Sequence, residues 1–372
     1  MYPRKLSRIP SLLFVAAALI LLYFPPLAVA KSPTVACTRV ANPTYAQAIA
    51  QAQPLIEQLQ ATYHVPGLTV AVAVDGKLVW SAGFGYADVE AQVRACPSTK
   101  FRIASITKTL TSAAMARLYE RGQFDLDAPI QRYLPDFPKK NYTVTPRLLA
   151  SHQAGISTRM WSRTEQYAGV QDSLSYFKDD PLIYIPGSGY AYSNLGYELL
   201  AASLEGATDM AYPTLLQRTV LGPLGMKETV PDAEGLPNRS QFYSLRGGKL
   251  LPARPQNLQA ILGAGGYLST SEDLVRFGSA MLGDSFLNPS TIQMLWAEQQ
   301  TTKGLKTHYG LGWMTRADQP EVVGHAGQLG GTRSYLLVGP QQGVVVAMLA
   351  NLHWDQAWPP VEGQQIITLF SQ

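Results

Sequence analysis

The chain has 372 residues, 46% of them hydrophobic and 15% charged, with a formal net charge of +4 and two cysteines. That is long enough for a large buried core and too apolar for a disordered chain. No internal repeat, no low-complexity tract and no dense Lys/Arg stripe is present, which argues against nucleic acid or an acidic membrane surface as partner.

Residues 1–30 read as a secretory signal. Arg4, Lys5 and Arg8 precede an apolar stretch from Leu12 to Phe24, and Ala28-Val29-Ala30 forms an A-x-A cleavage site before Lys31. Removing the segment lowers the formal charge from +4 to +1, so the basicity belongs to the signal. The chain thus divides into a signal peptide, 1–30, and one domain, 31–372, expected in the periplasm or outside the cell. The apolar stretch is short for a membrane span; retained uncleaved, it would tether the domain to the inner membrane. Cys37 and Cys96 would then meet an oxidising compartment, where a disulfide, two free thiols or lipidation of Cys37 are open alternatives.

From Tyr45 to Tyr63 the pattern is helical with a break near Pro54. Leu68 to Val74 alternates β-branched residues and runs into Asp75-Gly76 and Leu78-Val79-Trp80, a hairpin signal. The middle of the chain reads mostly helical, punctuated by Pro and Gly. A second strand block holds Ser334 to Val338, the turn Gly339-Pro340, and Gly343 to Leu349. Strands at both ends and helices between them predict an α+β fold. Its antiparallel sheet is formed from the N- and C-terminal segments, flanked by helices, with an inserted, mainly helical lobe. A cleft is expected where the two meet.

Ser105-Ile106-Thr107-Lys108 opens a run in which Ile106, Leu110, Ala113, Ala114 and Leu118 recur at helical spacing and Gly122 closes the helix. Residues three apart share a helix face, so the Lys108 amine can reach the Ser105 hydroxyl. If desolvation lowers its pKa, the amine can take the proton as the oxygen attacks a carbonyl. With 24 Ser and 12 Lys a chance S-x-x-K match is expected, and Ser175 to Lys178, which no apolar periodicity follows, reads as that match. Taken alone, the Ser105 segment also fits a plain N-cap serine and a solvated lysine.

Tyr192-Ser193-Asn194 follows the turn Pro186-Gly187-Ser188-Gly189 and precedes a helical run, Leu195 to Leu204. A phenol there can relay a proton, and the Asn194 amide can bond both a lysine amine and a substrate carbonyl. Gly324-His325-Ala326-Gly327 stands at the mouth of the C-terminal strand block. His325 could act there as a cation or hydrogen-bond donor, and Gly327 could let a substrate backbone approach the strand edge. The order S-x-x-K, Y-x-N, then a basic residue and Gly near the C-terminus resembles the serine β-lactamase and penicillin-binding protein family, in its class C-like form. Phe101 to Ala104, Leu148 to Gly155, Gly265 to Thr270 with Asp273, and Tyr309 to Trp313 extend the resemblance over about residues 50–372. Gly83 to Tyr86, Ala87 to Glu90, Cys96-Pro97 and Leu126-Asp127 are most similar to its mitochondrial branch and bacterial relatives.

The resemblance implies that Ser105 forms an acyl-enzyme, Lys108 activates it and Tyr192 assists proton transfer to the leaving group. It also implies that Asn194 orients Lys108 and the substrate, and that the backbone N–H groups of Ser105 and Gln328 form an oxyanion hole. Many relatives have Lys-Thr-Gly or His-Thr-Gly where this chain has His325-Ala326-Gly327. The missing hydroxyl counts against efficient β-lactam hydrolysis. Arg333, six residues beyond Gly327, either supplies a bidentate carboxylate contact or is a solvated strand-end arginine. His152 reads as a buried imidazole bonded to backbone. Without H-E-x-x-H, CxxC pairs or a carboxylate cluster, no metal and no cofactor are expected. Without a G-x-S-x-G elbow a Ser-His-Asp triad is not supported, and Asp273 reads as a cap-region carboxylate. The implied activity is hydrolysis of amide bonds in peptide or D-amino-acid-containing substrates. A carboxylesterase on small acyl esters and a weakly catalytic, penicillin-recognising or polymer-forming scaffold are the alternatives. The expected partner is a small-molecule or peptide substrate; oligomeric state is not specified.

Overall fold

In the computed structural model the described residues are 37–161, 165–315, 321–356 and 358–372, and the expected signal segment lies outside them. The two ends of the chain build one sheet. Strands β1 (Cys37–Ala41), β2 (Gly67–Val74) and β3 (Lys77–Asp88) come from the N-terminal part. Strands β4 (Val323–Leu329), β5 (Thr332–Gly339) and β6 (Val344–Ala350) come from the C-terminal part. They pair antiparallel in the order β1-β3-β2-β6-β5-β4, with a short strand, Val93–Arg94, added to β3. The halves join where β2 meets β6, Val72 opposite Val346. The β2–β3 turn has φ of 47° at Asp75 and 74° at Gly76. Positive φ at both central residues is what a two-residue type I′ hairpin requires.

Every residue of β2 is buried because both sheet faces are covered. Leu68, Val70 and Val72 point into a core shared with Ile56 and Leu59 of α1 (Ala46–Tyr63) and with Ile366 and Phe370 of α5 (Val361–Phe370). Ala71 and Ala73 belong to the second core, on the side of α4 (Ser271–Ala280) and the inserted lobe. Helix α4 lies tight on the sheet at Gly278, where a Cβ would come within 2.5 Å of Val345. In the lobe, α2 (Thr107–Glu120) packs against α3 (Asn194–Thr208), and both are buried on nearly every side.

Helix α1 runs unbroken through Pro54, contrary to the expected break. Pro54 is exposed, so the carbonyl it strands faces water while Ala52, Ile56 and Leu59 keep the helix on the sheet. The lobe also carries strands that the helical reading missed. Phe101–Arg102, Tyr267–Ser269 and Val230–Pro231 form a small sheet, and Tyr243–Arg246 pairs with Lys249–Pro252 as a hairpin. Strands of two to four residues are too short for a period-2 pattern to register. Cys37 and Cys96 are joined in a disulfide that ties β1 to the approach to Phe101.

Candidate active site

The segment Ile103–Ile106 lies on the face of the sheet over β4 and β5 and delivers Ser105 to the start of α2. Side chains on β5 hold it there: Ser334 Oγ donates to the Ile103 carbonyl at 2.9 Å, and Thr332 Oγ1 to the Arg102 carbonyl at 3.0 Å. Ala104 sits in the left-handed region at φ 47°. For a residue with a Cβ this costs about 1–2 kcal/mol, strain of the kind that accumulates at functional sites when the surroundings impose it.

Lys108 is fully buried, and its Nζ lies 3.2 Å from Ser105 Oγ, 2.8 Å from Asn194 Oδ1 and 2.8 Å from the Ala264 carbonyl. The two carbonyl-type oxygens can only accept, so each takes an N–H. A neutral amine then has one lone pair left, and it faces the Ser105 hydroxyl. Burial drives the Lys108 pKa down to about 7, against the opposing pull of Glu198. A solvated first-turn lysine is therefore ruled out, and half of the amine is free to accept a proton at neutral pH.

The Tyr192 hydroxyl approaches the same serine. The residue lines the cavity and is 37% exposed, while its hydroxyl lies against protein groups; desolvation there raises its pKa, and the hydrogen bond with Ser105 lowers it by less. It stays a phenol, so the resting base is Lys108. Its ring stacks near the lysine, 4.8 Å from Nζ to the centroid, and lies 4.2 Å from the His152 ring. Burial, with the Lys108 charge adding to it, holds the His152 imidazole well below its ordinary pKa, and its Nδ1 accepts the Ser193 N–H at 3.1 Å, the structural role expected. Ser193 in turn caps α3 by accepting from Gly196 N–H, which fixes Asn194 at the first helical position.

Three expectations change. His325 is neither a cation nor a free donor. Its Nδ1 lies 2.6 Å from the Ala326 carbonyl and must carry the proton; Nε2 therefore accepts from the Tyr309 hydroxyl at 2.8 Å. Burial, with the Lys108 charge adding to it, lowers the imidazole pKa to about 3. Gly327 does not open the strand edge to substrate. A Cβ there would lie 2.1 Å from Ser334 Oγ and 2.2 Å from the Ile103 carbonyl, so the missing side chain makes room for the segment that carries Ser105. Arg333 is not solvated: it is 6% exposed and donates to Tyr335 Oη, Gln328 Oε1 and the Gln356 carbonyl. Among the described residues no carboxylate pairs with it, and two of its five N–H groups are unused.

Ser105, Tyr192, Asn194, His325, Gln328 and Arg333 line one cavity of about 750 Å³. The second S-x-x-K lies elsewhere, with Ser175 Oγ on the Asp172 carbonyl and Lys178 paired to Asp179 on the surface. Asp273 caps its region, accepting from Glu228 N–H and Thr229 Oγ1.

The beta-lactamase family model matches residues 52–356. The chain belongs to the beta-lactamase family. It is 31% identical to the mitochondrial serine beta-lactamase-like protein LACTB of Homo sapiens, over 87% of this chain and 79% of that protein. It is 30% identical to Protein flp of Staphylococcus aureus, over 82% of this chain and 63% of Flp, so it spans less than two thirds of that relative. Among solved structures, the octameric penicillin-binding protein homologue from Pyrococcus abyssi superposes with a TM-score of 0.73 at 25% identity. It covers 82% of this chain and 73% of that one. In this beta-lactamase-family chain the reading of motifs missed three contributors: the Ala264 carbonyl, Tyr309 and Glu198. The first is backbone and leaves no signature in a side-chain pattern. Glu198 was visible as an acid four residues after Asn194, on the same helix face of an otherwise apolar run.

The state of His325 has a measurable consequence. Unfolded, it takes a proton near pH 6.5; folded, only near pH 3. Its contribution is intact above pH 6.5 and is lost as pH falls toward 3, with a slope of up to about 1.4 kcal/mol per pH unit. His325→Gln, which can still accept from Tyr309, removes that slope. In urea unfolding from pH 6 to 4, the variant should gain on the wild type by about 1.4 kcal/mol per unit; parallel profiles would contradict a neutral, buried His325.

Proposed function

We propose that the protein is a serine hydrolase that forms an acyl-enzyme at Ser105. It cleaves an amide or ester bond next to a carboxylate, as in a peptide or a D-amino-acid-containing fragment. The observation that carries this reading is the buried Lys108 amine, both N–H groups held by carbonyl oxygens and its lone pair facing Ser105. As Ser105 Oγ bonds to the substrate carbonyl carbon, its proton passes to Lys108 Nζ. The oxyanion is held by the backbone N–H groups of Ser105 and Gln328, the latter on the edge strand β4. On collapse, the bond to the leaving nitrogen or oxygen breaks, and a proton travels from Lys108 through the Tyr192 phenol to that atom. Water then attacks the ester carbon, gives its proton back along the same path and releases Ser105.

Arg333 supports the choice of an anionic substrate. It is a cation in the cavity wall, oriented by three hydrogen bonds and with N–H groups to spare. Residues 1–30 support a secreted or periplasmic setting.

A fluorophosphonate probe tests the nucleophile. Intact mass and peptide mapping should give one adduct, on Ser105, absent from Ser105→Ala; folded wild type without an adduct would turn the reading to the scaffold alternative. Arg333→Ala tests the substrate. KM for substrates with a free carboxylate should rise about tenfold or more, as expected for a lost charged hydrogen bond, with neutral esters spared; equal effects on both would remove Arg333 from recognition.

A further inference from the structure

Substrate recognition by Arg333 uses one arginine of the cavity wall, and the wall holds two more. Arg246 and Arg254 also line it, and among the described residues no aspartate or glutamate does. Arg246 ends the first strand of the hairpin Tyr243–Pro252, and Arg254 follows the second. Both side chains are exposed, and neither guanidinium has a hydrogen bond or ion pair among the described residues.

Two other arginines, at the root of this hairpin, show the contrast. Arg102 and Arg239 share Asp232, at 2.7 and 2.8 Å, and lie over the Phe242 ring at 4.1 and 4.9 Å. They are neutralised and hold the hairpin in place. Tyr243 adds an N–H donated to the Asn351 carbonyl at 2.9 Å and a hydroxyl donated to Glu90 Oε2 at 2.6 Å. The turn between β4 and β5 packs against the same root: a Cβ on Gly331 would lie 2.7 Å from both Phe242 Cβ and Ala253 Cβ. The hairpin is thus fixed where it joins the sheet, and from that base Ser244, Arg246 and Arg254 reach the cavity.

Arg333 does not duplicate them. Its hydrogen bonds to Tyr335, Gln328 and Gln356 hold it on β5. Arg246 stands three residues beyond the anchored Tyr243, about 10 Å along an extended strand. Positive charge in a concave wall without counter-charge concentrates anions there, and guanidinium forks match carboxylate and phosphate oxygens. We propose that Arg246 and Arg254 form a second anion subsite of this cavity, so that the substrate carries a second oxyanion, carboxylate or phosphate, besides the carboxylate on Arg333. In a peptide-like substrate the carboxylate beside the scissile amide belongs to the leaving residue, so the second oxyanion sits on the acyl part. This rests on the acyl-transfer reading and narrows its substrate class to dianions.

Ser105→Ala gives a protein that binds without turnover. Isothermal titration at low ionic strength compares N-acetyl-D-alanine with its N-succinyl, N-glutaryl and N-adipoyl counterparts, which add a carboxylate at increasing reach, and with N-(3-phosphonopropanoyl)-D-alanine. At least one dianion should bind about three- to tenfold more tightly than the acetyl compound, and the stronger of carboxylate and phosphonate names the second group. Adding Arg246→Gln and Arg254→Gln should abolish that gain, with the acetyl compound and the thermal stability little changed. Lys249→Gln removes a hairpin charge that is paired in register with Arg246 but does not line the cavity, and it should preserve the gain. No gain for any dianion, a gain kept in the double variant, or a gain lost equally in Lys249→Gln would overturn the proposal. The readout needs no chemistry at Ser105. A hairpin-dependent gain in a protein whose Ser105 never takes a fluorophosphonate would leave the subsite standing and refute the hydrolase reading; a labelled Ser105 without the gain would do the reverse.

Discussion

Three oxygens surround one amine, and the site depends on how its N–H groups and its lone pair are shared among them. Asn194 Oδ1 and the Ala264 carbonyl each claim an N–H of Lys108, and Ser105 receives what is left. In water a lysine would satisfy all three as an ammonium, and no base would exist. Full burial makes the charge expensive and brings the pKa down to about 7, so near neutrality the neutral amine competes with the ammonium. Geometry and desolvation therefore act together: the first fixes where the lone pair points, the second decides that there is one.

The fold supplies both conditions from distant parts of the chain. The turn before α2 brings Ser105 and α2 brings Lys108, α3 brings Asn194 and Glu198, and the turn at 263–264 brings the second carbonyl oxygen. The nucleophile's own segment is fastened to the sheet by Ser334 and Thr332, and it fits only because Gly327 leaves its place empty. The residues of the third motif thus act mainly as scaffold. His325 braces Tyr309 rather than carrying charge, and the cations of the cavity wall are Arg333, one strand away, with Arg246 and Arg254.

The sheet, the lobe between its halves and the grouping of Ser105, Lys108, Tyr192 and Asn194 were legible in the sequence. Hairpin chemistry at Asp75-Gly76 and helical spacing after Ser105 are local signals with physical causes. Pro54 was misread because sequence does not tell which side of a helix will face water. The short strands at 101–102, 230–231 and 267–269 exist through tertiary pairing, with no local pattern to announce them. His325 was misread as charged because a histidine's charge depends on partners, here Tyr309 and the Ala326 carbonyl, that only the fold brings together. Glu198 was passed over because an acid in an apolar helix has meaning only once the backbone N–H groups it accepts from, at Gly263 and Ala264, are in view.

The measurement that tests this account most directly is the second-order rate of Ser105 modification by a fluorophosphonate as a function of pH, in the wild-type protein. A lysine base whose lone pair appears on deprotonation predicts one ionisation on the acid side, with its midpoint near pH 7. A rate that climbs without levelling toward pH 10.5, the ordinary range of a solvated lysine, would contradict the claim that burial turns Lys108 into the base.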